Sequence, residues 1–223
     1  MARLPVVGSG VIESLKWLAL CLMFAEHWMR YVVGETPEWI FRTGRVVFPL
    51  FVFAFAMALR SQPCSKLLKV IVRMFAWAFV AQATLQLVDA PEGQLNVLFT
   101  FGLGLTAAYG LGCARPSFGL AIALCAIGVG AHWCEFGIVG VAFVAGAIAL
   151  ARAENPPVIA WLAVAALLAA LAIPNGNHFA LAAVPVALIV WRLGMGPPRV
   201  RGVFYWAYAL QFPVFAVARL MLT

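Results

Sequence analysis

Glu26 and His27 stand side by side within an apolar stretch that reads as a membrane span over about residues 15 to 33. Counted from Lys16 at its inner boundary, a helical rise of 1.5 Å per residue carries His27 about 16 Å upward, near the middle of roughly 30 Å of hydrocarbon. Ionisable groups at that depth are costly and persist by pairing or by working. Two readings stand. In one, Glu26 pairs with Arg30 one turn later on the same face, and His27 is a hydrogen-bonded packing residue. In the other, neutral His27 is a general base, because its titration range suits proton abstraction near neutral pH, and Glu26 sets its tautomer or its charge.

Arg45 is the next candidate. The uninterrupted apolar stretch from Val46 to Leu59 rises only about 21 Å as a helix, too little to cross alone. Glu38 to Arg45 must therefore descend as its entry, which carries Arg45 into the outer third of the membrane. Arg42 and Arg45, one turn apart, point toward the end of the first helix. Arg42 reads as a snorkelling interfacial residue, and Arg45 as facing the interior, available to an anionic or polarised oxygen.

Asn96 opens the fourth helix, where an outer-edge cap is the ordinary role and a place in a site is the alternative. Tyr205, Tyr208 and Gln211 line the last helix. Gln211, about ten residues above Arg201, lies at nearly the depth of His27 and is placed to complete a central polar cluster. His132 and His178 fall at outer helix ends and read as interfacial or capping residues. Lys66, Lys69 and Arg73, with Arg60, form the densest basic patch, expected within one inner loop. Topogenic charge and anionic headgroups explain most such residues; the functional alternative is that some hold the phosphates of a cytosolic donor such as coenzyme A.

These residues have to be positioned by helices in a bilayer. Of 223 residues, 65% are hydrophobic and 10% charged, with a mean hydropathy of +1.01, whereas a soluble domain is about half apolar and about a quarter charged. A soluble fold is excluded. The net charge of +7 is scattered singly at the ends of apolar runs, which is topological and not a nucleic-acid footprint. The fold class is an all-α polytopic transmembrane bundle, a single domain over residues 1–223. About nine spans (eight to ten) are expected: 15 to 33, 40 to 59, 70 to 88, 95 to 113, 117 to 132, 136 to 151, 157 to 173, 178 to 191 and 202 to 221. An eight-span version merges the fifth and sixth runs into a re-entrant pair.

With a cytoplasmic N-terminus, the inner face collects Arg3, Lys16, Arg60, Lys66, Lys69, Arg73, Arg115, Arg152, Arg192, Arg199 and Arg201. The outer turns keep mostly Glu35, Glu38, Asp89, Glu92 and Glu135, the split that the positive-inside rule expects. Cys21, Cys64, Cys113, Cys125 and Cys134 show neither CxxC nor Cys/His ligand spacing and read as small apolar packers, with no metal. Met1 to Gly10 lacks the pattern of a cleaved signal peptide, so the first hydrophobic segment is expected to stay as a helix.

The stretch ending Ala25-Glu26-His27, followed by Gly44-Arg45-Val46-Val47-Phe48-Pro49-Leu50-Phe51, resembles the TraX family of membrane acetyltransferases, the conjugative pilin acetylase type. That family's hallmark is an acidic residue and His late in the first helix, then a Gly-Arg-x-x-Phe-Pro-Leu-Phe opening of the second. Asn96-Val97-Leu98-Phe99 is similar to its Asn-x-Leu-Phe segment. Phe204-Tyr205-Trp206-Ala207-Tyr208 resembles its aromatic last helix, although the family has Pro and His soon afterward where this chain has Ala209 and Gln211.

The resemblance implies transfer of an acetyl group from cytosolic acetyl-CoA to an acceptor in or beyond the bacterial inner membrane. His27 would be the base with Glu26 beside it, while Arg45 and Asn96 would position or stabilise the acyl carbonyl. The implied acceptor is the N-terminal amine of a pilin-like small membrane protein, with an exported saccharide hydroxyl as the alternative. The rival classes are a small transporter, whose ion path would also need Glu26, His27 and Arg45, and a structural assembly factor. Against the transporter, no inverted repeat is legible.

Overall fold

The computed structural model describes residues 8–88, 93–194, 196–198, 200 and 202–222. Arg3, Asp89, Glu92, Arg199 and Arg201 of the charge argument lie outside the described residues. Helices follow one another in the order read from the apolar runs, and no strand is present among the described residues. α1 (Ser9–Trp28) runs directly into a π-helical turn, Met29–Val33, which ends at Gly34 with φ of 87°. α2 (Glu38–Gly44) and α3 (Val47–Leu59) follow, then α4 (Cys64–Leu85) with a 3₁₀ turn at Gln86–Val88. α5 (Val97–Cys113), α6 (Pro116–Trp133), α7 (Gly137–Arg152) and α8 (Val158–Ala170) are joined by short turns. α9 (Ala172–Asn175), a 3₁₀ turn at Phe179–Ala182, α10 (Ala183–Leu193) and α11 (Val203–Leu222) complete the order.

Among the described residues five segments are long and apolar enough to cross a membrane: Glu38–Leu59, Cys64–Val88, Pro116–Trp133, Val158–Asn175 and Val203–Leu222. Val97–Cys113, Gly137–Arg152 and Phe179–Leu193 are shorter apolar helices. α1 has the length but carries Glu13, Lys16 and Glu26. The chain is therefore a multi-helical protein suited to a membrane.

Hydropathy predicts a third apolar run that begins near residue 70, with its basic residues in a loop. Instead α4 begins at Cys64, so Lys66, Lys69 and Arg73 are helical and exposed. Hydropathy misplaces this boundary because lysine and arginine are good helix formers despite their charge. The buried stripe of Leu67, Ile71, Met74, Ala78 and Ala81 shows the helical period running straight through the basic segment.

The chain divides into two compact units. One comprises Phe55–Ala78 and Gly93–His178. Within it α5, α6 and α7 pack on one another through small residues, as membrane helices do when van der Waals contact is their main attraction. Gly110 and Gly119 bring α5 and α6 together so closely that a Cβ on either would strike the other's carbonyl oxygen. Cys64 and Cys113 form a disulfide across Cα atoms 5.8 Å apart, which corrects their reading as apolar packers. The sequence hides the pair because the two cysteines are 49 residues apart and meet only when α4 and α5 do. Cys21 and Cys125 are exposed free thiols and Cys134 is a buried one. Arg152, at the end of α7, donates to the carbonyl oxygens of Leu59 at 3.0 Å and Gln62 at 2.7 Å. It thus adds a charged donor to the turn where α3 ends, beside the Gln62 amide that already donates to Leu59.

The other unit comprises Val7–Ala54, Phe79–Glu92 and Phe179–Thr223, its described residues built around α1. α1 packs against α2, α10 and α11. Near its start Lys16 donates to the buried carboxylate of Glu13 at 2.7 Å and lies 5.3 Å from the centre of the Phe204 ring. Lys16 is therefore drawn into packing instead of simply marking a boundary.

Candidate functional site

The last turn of α1 presents two ionisable side chains in two directions. Consecutive helical residues point about 100° apart, so Glu26 and His27 cannot share a partner face. Glu26 is buried and forms an ion pair with Arg45, the residue that follows α2. This replaces the expected pairing of Glu26 with Arg30. Arg30 follows α-helical backbone at Trp28 and Met29, and the π turn lies beyond it, so it is the arrival of Arg45 that decides the pairing. Arg30 is exposed, its guanidinium 5.6 Å from the centre of the Tyr31 ring.

Gly44 explains how Arg45 reaches Glu26. A Cβ at position 44 would land inside the Glu26 carboxylate, so glycine leaves the space the carboxylate occupies when it meets Arg45. Arg45 is further aimed by Nε donating to the carbonyl oxygen of Phe41 at 3.3 Å, and by its guanidinium lying 4.5 Å from the centre of the Phe41 ring. The Gly-Arg dipeptide is thus one device: the first residue makes room and the second fills it with charge. Arg45 and Glu26 each neutralise a partner that would be costly alone in an apolar interior.

His27 turns the other way, toward α11. Its Nδ1 lies 3.2 Å from Oε1 of Gln211, and its ring clusters with those of Tyr31 and Phe212, with centroids 5.5 and 5.8 Å away. Tyr208 and Gln211 are both buried on α11, and the Tyr208 ring packs edge-on against Phe212. A cleft of about 650 Å³ opens between α1 and α11, lined by Leu20, Phe24, Trp28, Leu210 and Val214, with the Gln211 amide in its wall. His27 meets the cleft through its contact with Gln211, and a neutral imidazole next along the chain from a carboxylate–guanidinium pair is a group able to take up a proton.

The remaining predicted residues have other placements. Arg42 is exposed and pairs with Glu38 on α2, its guanidinium 5.2 Å from the centre of the Phe179 ring. Asn96 belongs to the first unit. Its side chain accepts from the Leu98 amide at 3.0 Å and donates to the Ala78 carbonyl at 2.8 Å, the geometry of a buried N-cap that also ties α5 to α4. Lys66, Lys69 and Arg73, also in the first unit, fall on one side of α4 by their spacing. The π-helical turn is a feature that sequence reasoning misses. Such turns are frequent at functional sites, but no residue type at Met29–Val33 signals one.

The fold and this polar centre define a class, a multi-helical membrane-type protein holding ionisable groups in an apolar interior. The family model described as TraX protein matches residues 11–219, and the chain belongs to that family. Protein TraX of Escherichia coli is 30% identical over 154 residues, covering 67% of this chain and 60% of that protein. The aligned stretch thus leaves a substantial part of the relative's own length unmatched. No solved structure matches the chain.

Proposed function

We propose that the chain is an integral membrane acetyltransferase that moves an acetyl group from cytosolic acetyl-CoA to an acceptor in or beyond the membrane, most simply the N-terminal amine of a conjugative pilin. The observation that carries this reading is the apposition of His27 to Gln211 at a cleft, one residue from the Glu26–Arg45 pair, in a chain of the TraX family. Nine crossings with the N-terminus inside, in the bacterial inner membrane, belong to the same proposal.

In this mechanism neutral His27 accepts a proton from the acceptor nitrogen as that nitrogen attacks the acetyl carbonyl carbon. The carbonyl oxygen becomes an oxyanion, which Arg45 stabilises; its bonds to Glu26 and Phe41 occupy two of five guanidinium donors. The C–S bond then breaks, and the coenzyme A thiolate takes the proton from His27. Glu26 holds Arg45 in place. Lys66, Lys69 and Arg73 offer three cations on one side of α4 for the donor's phosphates. Tyr208 and Gln211 form the α11 wall, while Arg42 and Asn96 serve by holding their helices.

The test is label transfer from radiolabelled acetyl-CoA in membranes containing the chain, with pilin or an exported saccharide as acceptor. Incorporation by the wild type that is lost in His27→Ala at matched expression supports the reading, and the labelled acceptor distinguishes N- from O-acetylation. No incorporation with either acceptor refutes it and favours a transporter or an assembly factor.

A further inference from the structure

The hydrogen bonds of Gln211 determine which nitrogen of His27 can act. Nε2 of Gln211 donates to the carbonyl oxygen of Tyr208 at 3.1 Å, and Oε1 lies 3.2 Å from Nδ1 of His27. A backbone carbonyl can only accept, so the amide nitrogen must face Tyr208. That leaves the amide oxygen, also an acceptor, facing the imidazole. A ring nitrogen facing an acceptor is held as N–H, which for neutral His27 puts the proton on Nδ1 and the lone pair on Nε2. The Gln211–Tyr208 bond is buried, Gln211 being 2% exposed, so water competes weakly for the amide, while the His27 end is half-buried. The Tyr31 and Phe212 rings restrict rotation of the imidazole. Glu26, which could have done this in another arrangement, is committed to Arg45.

We propose that Gln211 is a positioning residue that locks His27 in the Nδ1–H tautomer, making Nε2 the base. The tautomer stands on the geometry alone, whereas its use as a base rests on the acetyl-transfer reading. The amide is moored to the backbone of its own helix, so α11 sets the direction of proton transfer without touching the reacting atoms.

The test is ¹⁵N NMR of the full chain in lipid nanodiscs with imidazole-labelled histidine, His27 being assigned by the signals missing in His27→Gln. The wild type at neutral pH should show Nδ1 protonated and Nε2 unprotonated. Gln211→Leu should release the proton to Nε2, and Gln211→Glu, which keeps an acceptor, should preserve Nδ1–H. In parallel, kcat for acetyl transfer should fall about 10²-fold in Gln211→Leu, the lower end of what a general base contributes, with KM for acetyl-CoA unchanged and most of the rate recovered in Gln211→Glu. A wild-type Nε2–H tautomer, or a Gln211→Leu variant that keeps both Nδ1–H and its rate, overturns the proposal. Nδ1–H in a wild type that transfers no acetyl group upholds the positioning and refutes the acetyltransferase. His27-dependent transfer with an Nε2–H wild type does the reverse.

Discussion

Replacing Gly44 with alanine separates two physical arguments that predict opposite signs. Helix propensity alone makes Gly44→Ala stabilising by up to about 1 kcal/mol. The close approach of α2 to α1 makes it destabilising, because the new methyl group would occupy the position of the Glu26 carboxylate. Glu26 would have to turn away and give up its bond from Arg45, and a hydrogen bond to a charged group is worth roughly 1.5–3 kcal/mol. The net expectation is a loss of about 0.5–2 kcal/mol, set against the propensity gain. Gly128, inside α6 with nothing within 4 Å of where an added methyl group would sit, is the matched control, where only propensity acts. Thermal unfolding followed through the 8 tryptophans reads both variants in detergent. At about 2–4 °C per kcal/mol for a chain of this size, Gly44→Ala should melt a few degrees low while Gly128→Ala melts slightly high. If the two variants rise together, Gly44 does not make room for Glu26 and the account of the Gly-Arg pair is wrong.

Other perturbations test separate parts of the structure. Arg45→Met should cost about 3–5 kcal/mol by leaving Glu26 buried and unpaired, and the double variant with Glu26→Gln should regain most of that stability while remaining inactive in acetyl transfer. A double-mutant cycle of melting temperatures checks it, and simple additivity would contradict a direct pair. Arg152→Ala should lower stability by roughly 1.5–3 kcal/mol through loss of its charged bonds to the carbonyls of Gln62 and of Leu59, the latter keeping the Gln62 amide as donor, with acetyl transfer at low temperature unaffected. Cys64→Ser should destabilise the purified, oxidised protein by about 4 kcal/mol, the loop-closure cost for the chain between the two cysteines. A reductant should lower the melting temperature of the wild type by the same amount and leave Cys64→Ser unmoved.

Much of the helix order is legible in the sequence because apolar runs broken by Pro and Gly carry it directly. The misplaced start of α4 shows where that signal fails: Lys66 and Lys69 lower the hydropathy without weakening the helix. Glu26, His27, Arg45 and Gln211 are all visible as ionisable or polar residues at depth, since such residues stand out in an apolar sequence. Their pairing is not. Whether Glu26 meets Arg30 or Arg45 depends on α2 lying against α1 with no Cβ at Gly44, a tertiary contact that spacing does not encode. The Cys64–Cys113 bond is invisible for the same reason, because it depends on which helices become neighbours. Asn96 reads in the sequence as both a cap and a site candidate, and its bonds with Leu98 and Ala78 include those of an N-cap.

The most direct test of the central claim is the intact mass of a conjugative pilin co-expressed with this chain, comparing wild type with His27→Ala at equal membrane levels. The account predicts that the pilin gains the mass of one acetyl group at its N-terminal residue with the wild type and not with the variant. An unmodified pilin in both, or an acetylated pilin in both, would contradict it.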